Sequence, residues 1–99
     1  MPLTKRFSKD KTVCKVGFSL PAEMAGGAQK LFLAGEFNAW KPAMMRKTKG
    51  VFSLGVELPT GASYQYRFVT DAGEWLNDPE ADCYVYSTFA DADNSVVML

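Results

Sequence analysis

Two tryptophans, two cysteines, eleven carboxylates and no histidine set the chemical inventory of this 99-residue chain. The absence of histidine removes the Ser-His and Cys-His pairs that activate nucleophiles. The loop carboxylates run from Glu36 through Asp71, Glu74, Asp78, Glu80 and Asp82 to Asp91 and Asp93. Glycoside hydrolysis needs two carboxylates flanking one bond. These lie in turn-like segments, where Asp and Glu are ordinary solvated or capping residues, and a small domain offers little concave volume for an active site. The acidic run from Asp71 to Asp82 lacks the Gly-spaced loop and closing bidentate Glu of a calcium site. Cys14 and Cys83 have no zinc spacing and no histidine to assist them. Gly26-Gly27 is not followed by the strand-to-helix context of a phosphate loop. No catalytic residue, metal or cofactor is expected.

The aromatic inventory says more. Trp40 and Trp75 both lie in polar, turn-bounded segments with no strand or helix period around them. An indole there is either an anchor tucked onto the core or a surface contact. Two such loops, on either side of a strand that turns Arg67 outward next to Gln65, read as a platform. A sugar ring has an apolar C–H face that an indole can cover. It also has a rim of hydroxyls that Arg67 and Asn94 can bond. An exposed aromatic patch for a protein partner fits the same residues equally well.

The elements that must hold these residues are strands. Cys14, Val16, Phe18 and Leu20 alternate with Lys15, Gly17 and Ser19, a half-buried strand that Pro21 ends. Residues 22–28 read as a loop or short turn. Residues 29–34 form a second strand, whose Leu31-Phe32-Leu33 run asks for cover on both faces. Residues 35–48 are a long connection carrying Trp40, with Met44 and Met45 expected to fold back as a lid on the core. Phe52, Leu54, Val56 and Leu58 mark a third strand, and Tyr64, Tyr66 and Phe68 a fourth with its aromatic face inward. Short extended pieces follow at residues 74–76, 83–86 and 95–99. These add up to about seven short strands and no helix, an all-β, immunoglobulin-like antiparallel sandwich.

The chain is one domain by length, with a flexible, solvated arm over residues 1–11 and the folded module over 12–99. The arm carries Lys5, Arg6, Lys9 and Lys11 against Asp10, so a basic arm for a polyanion is the alternative reading. Eleven basic residues balance eleven acidic ones. There is then no overall field to gather nucleic acid or an anionic membrane. Apolar runs are too short to span a bilayer, and residues 1–10 lack the apolar centre of a secretory signal. The expected compartment is the cytoplasm, where the two cysteines default to thiols and a disulfide is the alternative.

Residues 31–40, Leu-Phe-Leu-Ala-Gly-Glu-Phe-Asn-Ala-Trp, resemble the V-x-L-x-G-x-F-N-x-W signature of carbohydrate-binding module family 48. That family includes the glycogen-binding modules of AMP-activated protein kinase beta subunits and the N-terminal modules of isoamylases and branching enzymes. Tyr64-Gln65-Tyr66-Arg67-Phe68 is similar to the family's Y-x-Y-K-F strand. Residues 71–79 are similar to D-G-x-W-x-x-D-P, and Asn94-Ser95-Val96-Val97 to N-x-V-V. The resemblance covers nearly the whole chain from Thr12 and implies a non-catalytic module for α-1,4-glucans: glycogen, starch or maltooligosaccharides. It implies that Trp40 and Trp75 stack on glucose rings and that Arg67, where the family commonly has lysine, and Asn94 bond hydroxyls. It also implies a glucan-metabolising enzyme as partner. One departure stands out. Where the kinase modules carry a Leu-Gly-Thr segment that embraces the sugar, this chain has Ala90-Asp91-Ala92. That departure motivates the alternative of a protein-interaction or regulatory module that kept the fold and lost strong sugar binding.

Overall fold

The period-two patterns become the two central pairings of a β-sandwich. The computed structural model describes residues 3–88 and 92–99. Strand β2 (Val13–Pro21) lies antiparallel to β6 (Val51–Pro59) in unbroken register from Val13↔Pro59 to Pro21↔Val51. One face of this pair buries Cys14, Val16, Phe18, Leu20, Phe52 and Leu58. The edges of the first sheet are β1 (Leu3–Phe7) beside β2 and β5 (Arg46–Thr48) beside β6.

The second sheet runs β4-β3-β7-β10-β9: β4 (Ala43–Met44), β3 (Leu31–Gly35), β7 (Ser63–Thr70), β10 (Ala92–Met98) and β9 (Cys83–Ser87). A two-residue strand, β8 (Trp75–Leu76), also pairs with β7. Every pairing is antiparallel. Leu31, Leu33, Tyr66, Phe68 and Val97 meet the first sheet across a single core. The expected all-β sandwich of two antiparallel sheets is what forms.

The described residues form ten strands rather than about seven. The three unforeseen ones, β1, β4 and β5, are short or polar and carry no apolar alternation of their own. Their partners' registers define them, from Leu3↔Phe18 to Phe7↔Cys14 for β1. Residues 3–7, expected within a solvated arm, are therefore an edge strand. The strand stays largely exposed, and Lys5 Nζ bridges to Asp82 Oδ2 at 2.7 Å. Such basic residues on an edge also discourage strand addition by other chains.

The methionine pair divides. Met45 enters the core, whereas Met44, on β4, is exposed. Adjacent residues on an extended chain point to opposite faces, so both could not serve as a lid. Cys14 lies in the core and Cys83 on β9, and both are free thiols. Two single-turn 3₁₀ helices, Ala22–Ala25 and Glu36–Asn38, complete the chain path.

At the end of the core nearest β8, the fully buried Tyr66 donates its hydroxyl to Asp78 Oδ2 at 2.7 Å. Burial first, and the Asp78 hydrogen bond and charge next, push the phenol pKa well above the ordinary tyrosine value. The native state then keeps this proton at pH values where the unfolded chain releases it. The contribution is complete below about pH 10 and declines above it by up to about 1.4 kcal/mol per pH unit. Alkaline denaturation followed by far-UV circular dichroism is expected to begin above pH 10, and Tyr66→Phe to flatten that slope.

Candidate functional site

The turn after β3 is where the chain leaves the sheet, and each residue from Gly35 to Trp40 has a physical task. A Cβ on Gly35 would stand 2.7 Å from the Phe37 ring and 2.8 Å from the Gln65 carbonyl oxygen. Only hydrogen fits there, although the backbone itself is ordinary extended chain. Phe37 then folds under the turn to stack on Phe18 at 5.5 Å and meet Tyr64 edge-on at 6.3 Å. Asn38 ties the turn to the strand: its Oδ1 accepts the Gly35 N–H at 2.9 Å, and its Nδ2 donates to the Leu33 carbonyl at 3.1 Å. Gly35→Ala is expected to destabilise the fold by about 2 kcal/mol through overpacking, read as a lowered urea midpoint at unchanged slope.

Trp40 is the outcome of this turn. Its N–H returns to the Gly35 carbonyl at 2.8 Å. Ala39 and Trp40 take left-handed φ values of 56° and 61°. Such a conformation is unusual for a bulky side chain and costs on the order of 1–3 kcal/mol. Strain of this size persists where the surroundings over-determine it, here through the Asn38 clamp and the half-buried Phe37 stacked on Phe18.

Trp75 comes from the opposite side. Residues 71–73 form a turn stabilised by the Gly73 N–H to Thr70 carbonyl bond, and β8 pairs Trp75 with Val69. The Trp75 side chain is 47% exposed. Its ring centroid lies 6.5 Å from that of Trp40, with the planes tilted by 50°. The two indoles thus form an open V rather than a closed stack.

Between and below them runs a line of polar side chains. Arg67 and Gln65 share the outer face of β7, because residues two apart on a strand do. Arg67 Nε donates to Asn94 Oδ1 at 2.6 Å, and Asn94 Nδ2 donates to Gln65 Oε1 at 2.9 Å. The Gln65 backbone N–H is accepted by Glu36 Oε1 at 2.8 Å. Together with Trp40, Trp75 and Ser87 these residues line a groove of about 620 Å³.

All four sequence-predicted residues, Trp40, Arg67, Trp75 and Asn94, therefore come together on one face of the second sheet. Arg67 does not stand out into solvent as expected. It keeps the outer face but is only 9% exposed, because its guanidinium is drawn down along the sheet onto Asn94. Gln65 was visible by alternation as its neighbour. Glu36 and Ser87 carried no such signal: Glu36 reaches the groove only through the 3₁₀ turn, and Ser87 only through the β9–β10 register. Of the divergent segment Ala90-Asp91-Ala92, the first two lie outside the described residues, and Ala92 opens β10 opposite Ser87.

Other surface depressions lack this combination. One lies over Gly17 and Gly55 on the outer face of the first sheet, with Thr4, Ser19 and Arg46 around it. Another lies at the β1–β2 turn. Neither contains a tryptophan. Among the described residues no group of His, Cys, Asp and Glu side chains could hold a metal ion, and no helix is long and apolar enough to cross a membrane.

Residues 21–97 match the family described as the glycogen recognition site of AMP-activated protein kinase. The chain belongs to this family. It is a carbohydrate-binding module of the family 48 type. The match starts where β2 ends and takes in both tryptophans, Arg67 and Asn94, so the whole groove lies within the family region. No curated protein matches the chain.

Proposed function

We propose that the groove binds α-1,4-glucans such as glycogen, starch or maltooligosaccharides, and does so without chemistry on the sugar. The observation that carries this reading is the pair of tilted indoles, 6.5 Å apart and standing over hydrogen-bonding side chains. Each indole offers a flat apolar face to the C–H side of one glucose ring. The 50° between the planes suits successive rings of a curved chain better than it suits a flat ligand. Arg67 and Asn94, hydrogen-bonded to each other, meet the hydroxyl rim.

Among the described residues, Glu36 is the sole carboxylate lining the groove. A glycosidase needs two across the scissile bond, which supports a role in binding rather than hydrolysis. Such a module works by holding a glucan-metabolising enzyme close to its polymer, since a tethered second site raises the effective concentration of substrate.

Calorimetric titration with maltoheptaose tests the proposal. An open groove with two stacking rings is expected to give a Kd on the order of 0.1–1 mM. Absence of heat and of any tryptophan fluorescence change at 10 mM sugar would sink it. Reducing-sugar release from glycogen is expected to stay at the buffer level.

A further inference from the structure

Arg67 is a nine-tenths buried cation with no counterion among the described residues. The one ion pair among the described residues joins Lys5 to Asp82, on another part of the surface. Its Nε donates to a neutral amide, Asn94, and it lines the groove together with Glu36, Gln65, Ser87 and the two tryptophans. Its Nη2 is buried and has no hydrogen-bond partner among the described residues. A buried charge left in this condition is expensive, and an unmade bond to it adds a further penalty.

The hydrogen bonds also have a direction. Arg67 Nε donates to Asn94, and Asn94 Nδ2 donates to Gln65 Oε1. Each of the two amide oxygens already accepts one bond, and the Gln65 amide NH₂ is left as the next donor. Glu36, the one carboxylate lining the groove among the described residues, already accepts the Gln65 N–H and is not within ion-pair distance of Arg67. Among the described residues the groove therefore offers the Gln65 amide and the Arg67 guanidinium, which has no ion-pair partner, as donors, with the Glu36 carboxylate in the same lining.

A glucose hydroxyl can accept one of these bonds but leaves the charge unbalanced. A phosphate monoester does both: its oxygens accept from a planar guanidinium in paired geometry, and its charge neutralises the cation. Building on the proposed glucan reading, we infer that the preferred ligand is a phosphorylated α-glucan. Its sugar rings lie on Trp40 and Trp75, and a phosphate ester reaches down to Arg67 and Gln65. Reaching Nη2 requires the guanidinium to turn toward the groove as the ligand enters.

The test is a set of titrations of the full chain with maltoheptaose, with the same oligosaccharide carrying a phosphate ester, and with inorganic phosphate. The phosphorylated oligosaccharide is expected to bind about tenfold more tightly than the neutral one, as charge-assisted bonds roughly double in strength. The advantage is expected to shrink at high salt. Arg67→Gln is expected to weaken both oligosaccharides and to bring their affinities together, so the quantity read is the ratio between the phosphorylated and the neutral sugar. Arg67→Lys, which keeps the charge but not the fork, is expected to retain part of the advantage. Equal affinity for both oligosaccharides overturns the inference and leaves glucan binding standing. Inorganic phosphate binding as tightly as the phosphorylated oligosaccharide also overturns it, since the site would then be a plain anion site. If neither oligosaccharide binds, the underlying glucan reading fails, and the inference fails with it.

Discussion

Trp75→Ala is expected to abolish co-sedimentation with glycogen and to weaken maltoheptaose binding at least tenfold. Stacking faces of this kind carry the largest share of affinity in a shallow site, and truncating a central aromatic contact commonly costs about 2 kcal/mol or more. The fold should survive the change. The indole is nearly half exposed, and β8 keeps its backbone pairing with β7 through Phe68↔Leu76. A thermal midpoint within a few degrees of wild type, together with lost binding, separates a lost contact from a lost structure. Trp40→Ala should behave similarly for binding. It should cost less stability than a core truncation, because Trp40 is only partly buried.

The second large effect is on stability. Asp78→Ala is expected to destabilise the protein by about 3 kcal/mol. The Asp78 side chain is fully buried and accepts the Tyr66 hydroxyl on Oδ2 and the Glu80 N–H on Oδ1. Its backbone N–H is taken by Ser95 Oγ, which in turn donates to Asn77 Oδ1. Alanine leaves the Tyr66 hydroxyl orphaned inside the core. Asp78→Asn keeps an acceptor for Tyr66 and should cost clearly less. Urea denaturation reads both. The same network anchors the segment that follows Trp75, so Asp78→Ala is also expected to weaken glucan binding, although Asp78 touches no ligand.

The contrast between these two residues shows what the sequence carried. Trp75 announced itself as an indole in a polar turn. Asp78 looked like any turn aspartate beside a proline, because the partner that gives it meaning, Tyr66, is twelve residues away and reaches it only across the folded core. The long strands β2, β6 and β7 were legible because each buries alternate residues, which imposes a period of two on composition. The edge strands β1, β4 and β5 bury too little to leave that imprint. Arg67 was assigned its correct face by the same alternation. Its burial was not legible, because that depends on Asn94, a residue brought alongside only by the β7–β10 register. The turn geometry at Trp40 was half legible: Gly35 and Asn38 signal a turn, but the left-handed pair Ala39-Trp40 is imposed by the Asn38 clamp.

The central claim is that one face of the second sheet, and no other surface, receives the glucan. Two-dimensional NMR of the ¹⁵N-labelled chain, titrated with maltoheptaose, tests this most directly. The account predicts progressive shifts in the indole N–H signals of Trp40 and Trp75, in the side-chain amides of Gln65 and Asn94, and in the Arg67 Nε–H. Signals from the first sheet, at Gly17, Ser53 and Gly55, should stay still. Shifts confined to that first sheet, or none at all with sugar at 10 mM, would contradict it.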